Sequence, residues 1–200
     1  GGNFGPPLMN VYNKKYIYNY HVIELSSYQL EAAPSFSSFI SILLNISDDH
    51  QDRYKSLIDY ARTKENILIC KDIKYRVISI DDNYCREIYE KNKSLKNLIP
   101  FSINKKINEG ISIVDNEIYD DYFERKSYSL EVNNYSLHGK YNNQNILAAY
   151  IVCKLLCLDF NKFFYTVKNF EGLPHRLEHV FENHDCLVIN NSKATNINSS

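Results

Sequence analysis

The stretch SFISILLNIS, residues 38–47, decides the fold. Its apolar side chains follow one another almost without interruption, whereas a strand with one face in water would alternate apolar and polar residues. Continuous apolar strands are typical of sheets covered on both faces, and such sheets are mostly parallel. We therefore predict that residues 38–47 form a strand of a largely parallel sheet packed between layers of helices.

The segments around this strand alternate between strand and helix patterns. Apolar side chains recur at three- and four-residue steps between Asp52 and Ile67, which predicts a helix. The other predictions are strands at YIYNYHVIEL (16–25), NILIC (66–70) and YRVISID (75–81), and a helix at REIYEKNK (86–93). This alternation predicts an α/β fold with crossover connections between parallel strands.

The second half of the sequence has a different texture. Short alternating runs between Leu98 and His138, separated by turn residues, predict a small antiparallel sheet. Two helices are predicted next, at 141–158 and 159–170, and Asn residues at the start of the first suit a helix N-terminus. After a boundary at Gly172 to Pro174, residues 176–191 predict a hairpin that turns at ENHD.

Composition and charge exclude several classes of protein. The 200 residues carry 23 basic and 24 acidic side chains, so net charge does not indicate a nucleic-acid partner. No apolar run approaches the roughly 18 to 20 residues of a membrane-spanning helix, and no leader is evident at the start. We expect a soluble cytoplasmic protein with no membrane partner. The absence of an initial Met and the polar ending NSKATNINSS suggest a segment of a longer chain.

The cysteines and two histidines offer weak metal patterns. Five cysteines, mostly in apolar runs, suit reduced core thiols better than disulfides. Cys153 and Cys157 could form half of a metal site, but no second pair follows at ligand spacing, so we favour a core role. His175 and His179 would lie roughly 13 Å apart along a strand, too far to share one ion.

Five polar clusters stand where apolar elements stop. They are GGNFG (1–5), ELSSYQLE (24–31), NISDDHQDRY (45–54), GKYNNQN (139–145) and the pair GLPHRLE (172–178) with NNSKATN (190–196). Ligands of open α/β sheets bind beyond the carboxyl ends of strands, so we expect the first three clusters to meet in one crevice. Each cluster has a plainer interpretation: ELSS could be a helix N-cap, and DDH a solvated turn.

Taken in order, these clusters resemble the Mur ligase family. The resemblance is carried by GGNFGPP, IELSSYQLE, LNISDDHQDRY, the lysine at 64, GKYNNQNILAAY, GLPHRLE and INNSKATN, and it runs from the first residue to the last. GLPHRLE followed by NNSKATN is characteristic of the members that add D-glutamate to UDP-N-acetylmuramoyl-L-alanine. The resemblance implies a bacterial, cytoplasmic, monomeric ligase of peptidoglycan synthesis, and hence a part in cell shape and cell division.

The resemblance also implies the reaction. ATP phosphorylates the carboxylate of the muramoyl substrate, and the amine of D-glutamate attacks the acyl phosphate and expels phosphate. Two anions must approach each other, so divalent cations and fixed positive groups are needed. Glu24, His50 and Lys64 are implied as the catalytic, magnesium-linked residues, and Lys64 would serve as a carbamate. The segment between His50 and Lys64 is one residue shorter than is usual in the family.

Further residues match the family's nucleotide and substrate positions. The implied ATP contacts are Asn142, Asn145, Arg176 and Asn191, and the implied substrate contacts are Asn3, Ser26, Gln29, Lys193 and Thr195. A helix N-cap role is the alternative for Asn142, and it is compatible with a contact to ATP. Two positions depart from the family, since Tyr141 replaces its usual His and Asn191 its usual Asp.

The family's glycine-rich phosphate loop does not occur in these 200 residues. We therefore expect residues 1–172 to be the central ATP-binding domain without that loop, and residues 173–200 to begin a Rossmann-like C-terminal ligase domain. We expect residues 1–200 alone to be catalytically inactive. The alternatives are an inactive nucleotide-binding remnant and another Mur ligase or folylpolyglutamate synthase-like enzyme, and NNSKATN argues against the second of these.

Overall fold

The computed structural model describes residues 1–3, 5, 7, 18–47, 53–132, 137 and 139–194. Its helices are α1 (Ser27–Ala32), α2 (Leu57–Ile69), α3 (Asn83–Asn92), α4 (Lys140–Leu155) and α5 (Phe160–Lys168). Its strands are β1 (Ile40–Leu43), β2 (Tyr75–Ser79), β3 (Leu98–Ser102), β4 (Ile111–Val114), β5 (Glu117–Asp120), β6 (Lys126–Ser129), β7 (Glu178–Glu182) and β8 (Leu187–Asn190). None of the helices in these ranges combines the length and apolarity that crossing a bilayer requires.

Strands β1 to β6 form one mixed sheet in chain order. The pairs β1–β2, β2–β3 and β3–β4 are parallel, and β4–β5 and β5–β6 are antiparallel. The predicted fold class is confirmed. The antiparallel sheet predicted from Leu98 onward is wrong in its extent, because β3 is a parallel strand and antiparallel pairing begins only at β4–β5, in the same sheet. The hairpin β7–β8 is a separate two-stranded sheet whose turn, 183–186, closes with a hydrogen bond from Asn183 N to Cys186 O.

Helices cover both faces of the sheet, as the apolar strand at 38–47 predicts. Adjacent residues of β2 show the arrangement: Val77 packs in the core on the α4 and α5 side, and Ile78 in the core with α2 and α3. Both are fully buried, which stabilises the fold by about 1.5–3 kcal/mol for each side chain. The sheet is therefore the middle of three layers, and loops at the carboxyl ends of β1 to β3 meet at one edge.

Two predicted strands are wrong in the described residues. NILIC at 66–70 is the last turn of α2, which begins at the Ser56 cap and continues to Ile69. A short apolar run fits a buried helix end as well as a strand, and here these residues continue the helical spacing that begins earlier in α2. Of YIYNYHVIEL, residues 18–25 lie outside the six-stranded sheet, and Val22 is 86% exposed. Their only assigned strand contact is a parallel bridge between Gly2 and Glu24.

The described cysteines are free thiols in different environments, so the prediction of a shared core role is wrong in part. Cys85 is buried, Cys70 and Cys153 are half-buried, and Cys157 and Cys186 are exposed. Cys157 lies after the end of α4 and has a positive φ of 51°, so it does not continue the helix that carries Cys153. His175 lies before β7 and not within it. Its imidazole lies beside Glu178, whereas that of His179 lies beside Glu182.

Candidate functional site

The segment at residues 1–3 lies parallel to the segment that ends at Glu24. Asn3 N donates to Glu24 O over 2.8 Å, Glu24 N donates to Gly1 O over 3.0 Å, and Gly1 N donates to Val22 O over 3.0 Å. The Asn3 side-chain amide donates to Glu24 Oε1 over 3.1 Å. Two of the predicted site residues are therefore in direct contact, and Glu24 keeps an exposed carboxylate.

Gly2 makes this close pairing possible. Its φ is +92°, a region that other residues rarely adopt, and a Cβ at this position would lie 2.3 Å from Glu24 O. Any side chain at residue 2 would push the backbone of Glu24 away. The glycine is thus required by the contact that places Asn3 beside Glu24.

Ser26 and Gln29 cap the short helix α1. Gln29 N donates to Ser26 Oγ over 3.3 Å, and Ser26 N donates to Gln29 Oε1 over 2.9 Å, which completes a capping box. The N-cap interpretation of ELSS is confirmed. These bonds fix the chain directly after Glu24, so they help to orient the segment that carries the carboxylate.

Arg53 fastens α1 to the loop that leads into α2. Its guanidinium lies 2.7 Å from Glu31 and 4.8 Å from the centre of the Tyr28 ring, and that ring stacks on Tyr54 at an angle of 12°. The hydrogen bond from Arg53 is the main cause that lowers the pKa of Glu31. Helix α1, which follows Glu24, is thereby tied to Arg53. Arg53 comes directly after residues 48–52, a segment that contains His50 and lies outside the described residues.

Lys64 is a half-buried residue of α2 near the start of α3. Its Nζ lies 5.2 Å from the centre of the Tyr60 ring, and its charge reaches the Cys85 thiol. Burial raises the pKa of that thiol, and the carboxylate of Asp82 adds to the effect, whereas Lys64 opposes it. Lys64 therefore faces the layer between α2 and α3 instead of standing out in solvent.

The carboxyl ends of β1, β2 and β3 are joined by a polar network whose contacts were not predicted from the sequence. Its members are Asn45, Ser79, Asp81, Ser102 and Gln144. Asp81 accepts from Ser102 Oγ over 2.5 Å and from Ile103 N over 2.9 Å. Asn45 and Gln144 belong to the polar clusters 45–54 and 139–145, and the further signal in the sequence was a polar residue at the end of each apolar strand.

Asn142 and Asn145 lie in the first turns of α4, on either side of Gln144. Asn145 is exposed and donates to Asn142 Oδ1 over 3.4 Å. The N-cap of α4 is Gly139, with φ 100° and no side-chain capping bond, so the predicted cap role of Asn142 is wrong. Tyr141, which departs from the family pattern, is 53% exposed at this helix start.

Arg176, Asn191 and Lys193 meet at the open end of the β7–β8 hairpin. Lys193 N donates to His175 O over 3.1 Å, and Leu177 N donates to Asn191 Oδ1 over 3.3 Å. Arg176 is exposed in the turn between these two bonds. Thr195, predicted to contact substrate, lies outside the described residues.

The described residues do not form a complete metal centre. No three side chains of His, Cys, Asp or Glu within those ranges lie close enough together to hold an ion. Glu24 supplies the kind of oxygen ligand that Mg²⁺ prefers. Lys64 as an ammonium group cannot bind a cation, and it would fit the set only after conversion to a carbamate.

Comparison with known proteins places these residues in a family context. The profile of the Mur ligase middle domain matches residues 8–153. Proteins named UDP-N-acetylmuramoylalanine--D-glutamate ligase are 39% identical over 199 residues in Rickettsia bellii and 40% identical over 200 residues in Rickettsia prowazekii. Each match covers 98% of this chain and 43% of the relative, so the chain spans less than half the length of these relatives.

Solved structures share the fold at low sequence identity. A structure of UDP-N-acetylmuramoyl-L-alanyl-D-glutamate--2,6-diaminopimelate ligase matches with a TM-score of 0.66 and 20% identity, over 80% of this chain and 34% of that one. MurF from Acinetobacter baumannii matches with a TM-score of 0.64 and 16% identity, over 86% of this chain and 37% of that one.

Proposed function

The chain belongs to the Mur ligase family, and we propose that it is the central part of an ATP-dependent ligase that adds D-glutamate to UDP-N-acetylmuramoyl-L-alanine. The observation that carries the proposal is the direct contact between Asn3 and Glu24, which joins two polar clusters of the family pattern across 21 residues. The names of the relatives from Rickettsia support the choice of D-glutamate as the added amino acid.

The proposed reaction has two steps. The substrate carboxylate attacks the γ-phosphorus of ATP, so a carboxyl oxygen–phosphorus bond forms and ADP leaves. The amine of D-glutamate then attacks the carbonyl carbon of the acyl phosphate. The resulting tetrahedral intermediate loses phosphate, and the nitrogen loses a proton as the amide forms. Both steps bring anions together, so positive groups must be fixed around them.

Glu24 is proposed to hold Mg²⁺ together with His50 and a carbamylated Lys64. Mg²⁺ would neutralise the charge of the phosphate oxygens and of the entering carboxylate. Asn3 has a positioning role in this scheme, because its amide holds Glu24 Oε1 while the carboxylate stays exposed. Ser26 and Gln29, proposed to face the muramoyl substrate, stabilise the turn that follows Glu24.

The nucleotide is proposed to lie between the start of α4 and the hairpin end. Asn145 would form a hydrogen bond with adenine, Asn142 would lie near the nucleotide, and Arg176 would bind phosphate or ribose oxygens through its planar guanidinium. Asn191 would bind the ribose less strongly than an Asp, because its side chain is neutral. Lys193 and Thr195 are proposed to contact the D-glutamate side of the substrates.

The wider proposals concern the whole protein. Residues 1–172 would form the central ATP-binding domain, and residues 173–200 would begin the C-terminal ligase domain. The protein would act as a monomer in the bacterial cytoplasm, in peptidoglycan synthesis, and so contribute to cell shape and division.

A substrate panel tests the function. A chain of the relatives' full length that contains this sequence is assayed for phosphate release with ATP, Mg²⁺, UDP-N-acetylmuramoyl-L-alanine and one amino acid at a time. We expect release with D-glutamate, and a loss of about 100-fold or more for Glu24→Gln, because a misplaced or missing metal ligand affects both steps. Release with L-lysine or meso-diaminopimelate instead, or none with any amino acid, would contradict the proposal.

A further inference from the structure

Gln144 is a buried amide in the first turns of α4, and only 5% of its surface is exposed. Its Oε1 accepts a hydrogen bond from Asn45 Nδ2 over 3.1 Å, just after the end of β1. Its Nε2 donates to Ser79 Oγ over 3.2 Å, at the end of β2, and lies 3.5 Å from Asp81 Oδ2. One side chain therefore connects α4 to the carboxyl ends of two parallel strands.

The partners of Gln144 are themselves held in place. Ser102, at the end of β3, donates to Asp81 Oδ1, and Ile103 N donates to Asp81 Oδ2. Ser79 Oγ lies 3.3 Å from Asp81 Oδ2 and accepts from Asp81 N over the same distance. The amide of Gln144 thus meets an acceptor fixed by two neighbouring strands, and a buried polar group bound in this way has one favourable position.

The cap residue of helix α4 contributes no side-chain capping bond. Gly139 occupies the cap position, has no side chain and leaves the first turn without a side-chain capping bond. The helix start carries Asn142 and Asn145, which flank Gln144. The side chain that fixes the rotation of this turn also fixes where the two asparagines point.

We propose that Gln144 is a positioning residue for nucleotide binding: it fastens the first turns of α4 to the ends of β1 and β2, so that Asn142 and Asn145 are held where they meet ATP. This inference rests on the proposed function, since it needs ATP at the start of α4. A purely structural role of Gln144 would change the stability of the protein without a selective change in ATP affinity.

The test measures ATP dissociation constants by calorimetry, in the presence of Mg²⁺, on the full-length protein that contains this sequence. Gln144→Leu removes both hydrogen bonds at similar volume and should weaken ATP binding about tenfold, as expected for the loss of one or two anchoring bonds. The affinity for UDP-N-acetylmuramoyl-L-alanine should stay within about twofold of wild type, because the proposed site for that substrate does not include α4.

Asn92→Leu is the matched control. Asn92 is also a buried amide, and its Nδ2 donates to Glu65 Oε1 over 2.7 Å and to Ile88 O over 2.8 Å. Asn92 lies in the last turn of α3, at the opposite end of that helix from Asp81, so its hydrogen bonds are separate from those of Gln144. Asn92→Leu should lower stability and leave ATP affinity unchanged.

Gln144→Glu adds a readout that lost stability would not produce. The new carboxyl would face Asp81. The other charged groups in this region are Asp82, next to Asp81 in the sequence, and Lys64, whose charge reaches Cys85. Burial and the Asp81 carboxylate raise the pKa of such a group, so at low pH it is protonated and can donate as the amide does. We expect near wild-type ATP affinity at low pH and progressively weaker binding than wild type as pH rises.

Equal ATP affinity in wild type and Gln144→Leu would overturn the inference and leave the proposed function standing, as would an equal loss in Asn92→Leu. A wild-type protein that binds no ATP at all would overturn both. Selective loss in Gln144→Leu, together with the pH dependence of Gln144→Glu, would support the positioning role.

Discussion

Asn3 and Glu24 are 21 residues apart in the sequence, and the amide of one donates to the carboxylate of the other over 3.1 Å. The contact follows from backbone pairing, because Asn3 N also donates to Glu24 O. Neither side chain could be oriented in this way by its own short segment alone. The geometry of the proposed metal ligand therefore depends on the residues that line up these two segments, above all on Gly2.

Gly2→Ala should reduce ligase activity sharply. The new Cβ would lie 2.3 Å from Glu24 O, so one of the two segments must move. A displacement of about 1 Å at a reacting centre can cost on the order of 100-fold in rate. Steady-state assays of the full-length protein should show a large fall in kcat and a higher Mg²⁺ concentration needed for half-maximal activity.

Gly5→Ala is the control for backbone strain. Gly5 also has a positive φ, of +79°, but a Cβ there would meet nothing closer than 4.0 Å. The two variants therefore share the conformational penalty and differ in the clash. If Gly5→Ala lost as much activity as Gly2→Ala, strain alone would explain the effect and the positioning of Glu24 would not.

The ion pair between Arg53 and Glu31 should stabilise the protein only above acid pH. The Arg53 hydrogen bond lowers the pKa of Glu31 below its ordinary value. A carboxyl with a lowered folded-state pKa contributes stability above the unfolded pKa, about 4.3 for Glu, and loses it as pH falls through the folded pKa. Wild type should therefore melt above Glu31→Gln at pH 7, and the two melting temperatures should converge as pH falls below the unfolded pKa and through the lower folded-state pKa.

Arg53→Lys separates charge from shape in the same cluster. Lysine keeps the positive charge but cannot combine a planar contact with the Tyr28 ring and a directed bond to Glu31. We expect kcat of Arg53→Lys to fall nearly as far as that of Arg53→Leu, because the contact fastens α1 to the chain next to the segment with His50. Full activity in Arg53→Lys would show that charge alone is sufficient.

The layered fold could be predicted from the sequence because it follows from local patterns. The apolar stretch at 38–47 indicated a covered sheet, and helical spacing indicated α2, α3, α4 and α5. NILIC at 66–70 failed for a physical reason: five apolar-rich residues satisfy a strand pattern and a helix end equally well. The choice depends on the Ser56 cap, which starts a helix long enough to include them.

The candidate site was only partly predictable. The family resemblance indicated Asn3 and Glu24, and the structure brings them together. The polar residues of the network around Gln144 are visible in the sequence, but their contacts could not be predicted, since Gln144 bonds to Asn45, 99 positions earlier. Gln144 looks like an ordinary helix residue until the ends of β1 and β2 are placed beside it, and periodicity carries no information about that contact.

Tyr150→Phe should destabilise the fold by about 1–3 kcal/mol, the cost of leaving a buried acceptor without its donor. The Tyr150 hydroxyl donates to Asp120 Oδ2 over 2.7 Å, and both side chains are almost fully buried. Tyr128→Phe is the comparison, because the Tyr128 hydroxyl donates to Glu124, which water can reach. Urea unfolding should show the larger loss for Tyr150→Phe, and an equal loss would contradict this account.

The same pair predicts sensitivity to alkali. Burial and the bond to Asp120 raise the pKa of Tyr150 well above its ordinary value. A group whose folded-state pKa is raised contributes stability below the unfolded pKa, about 10 for Tyr, and loses it as pH rises further. The stability difference between wild type and Tyr150→Phe should therefore be constant up to about pH 9 and shrink above pH 10. A constant difference through pH 11 would show that Tyr150 ionises alike in both states.

Lys64 should matter for activity through a carbamate instead of its positive charge. It is half-buried against Tyr60, and a carbamate would give it the oxygen atoms that Mg²⁺ prefers, whereas an ammonium group has no lone pair to offer. We expect wild-type activity to fall when carbon dioxide is removed from the buffers and to return with bicarbonate, while Lys64→Arg and Lys64→Ala stay inactive at every level. Arginine preserves the positive charge but does not form the carbamate, so wild-type rates in Lys64→Arg would exclude the modification.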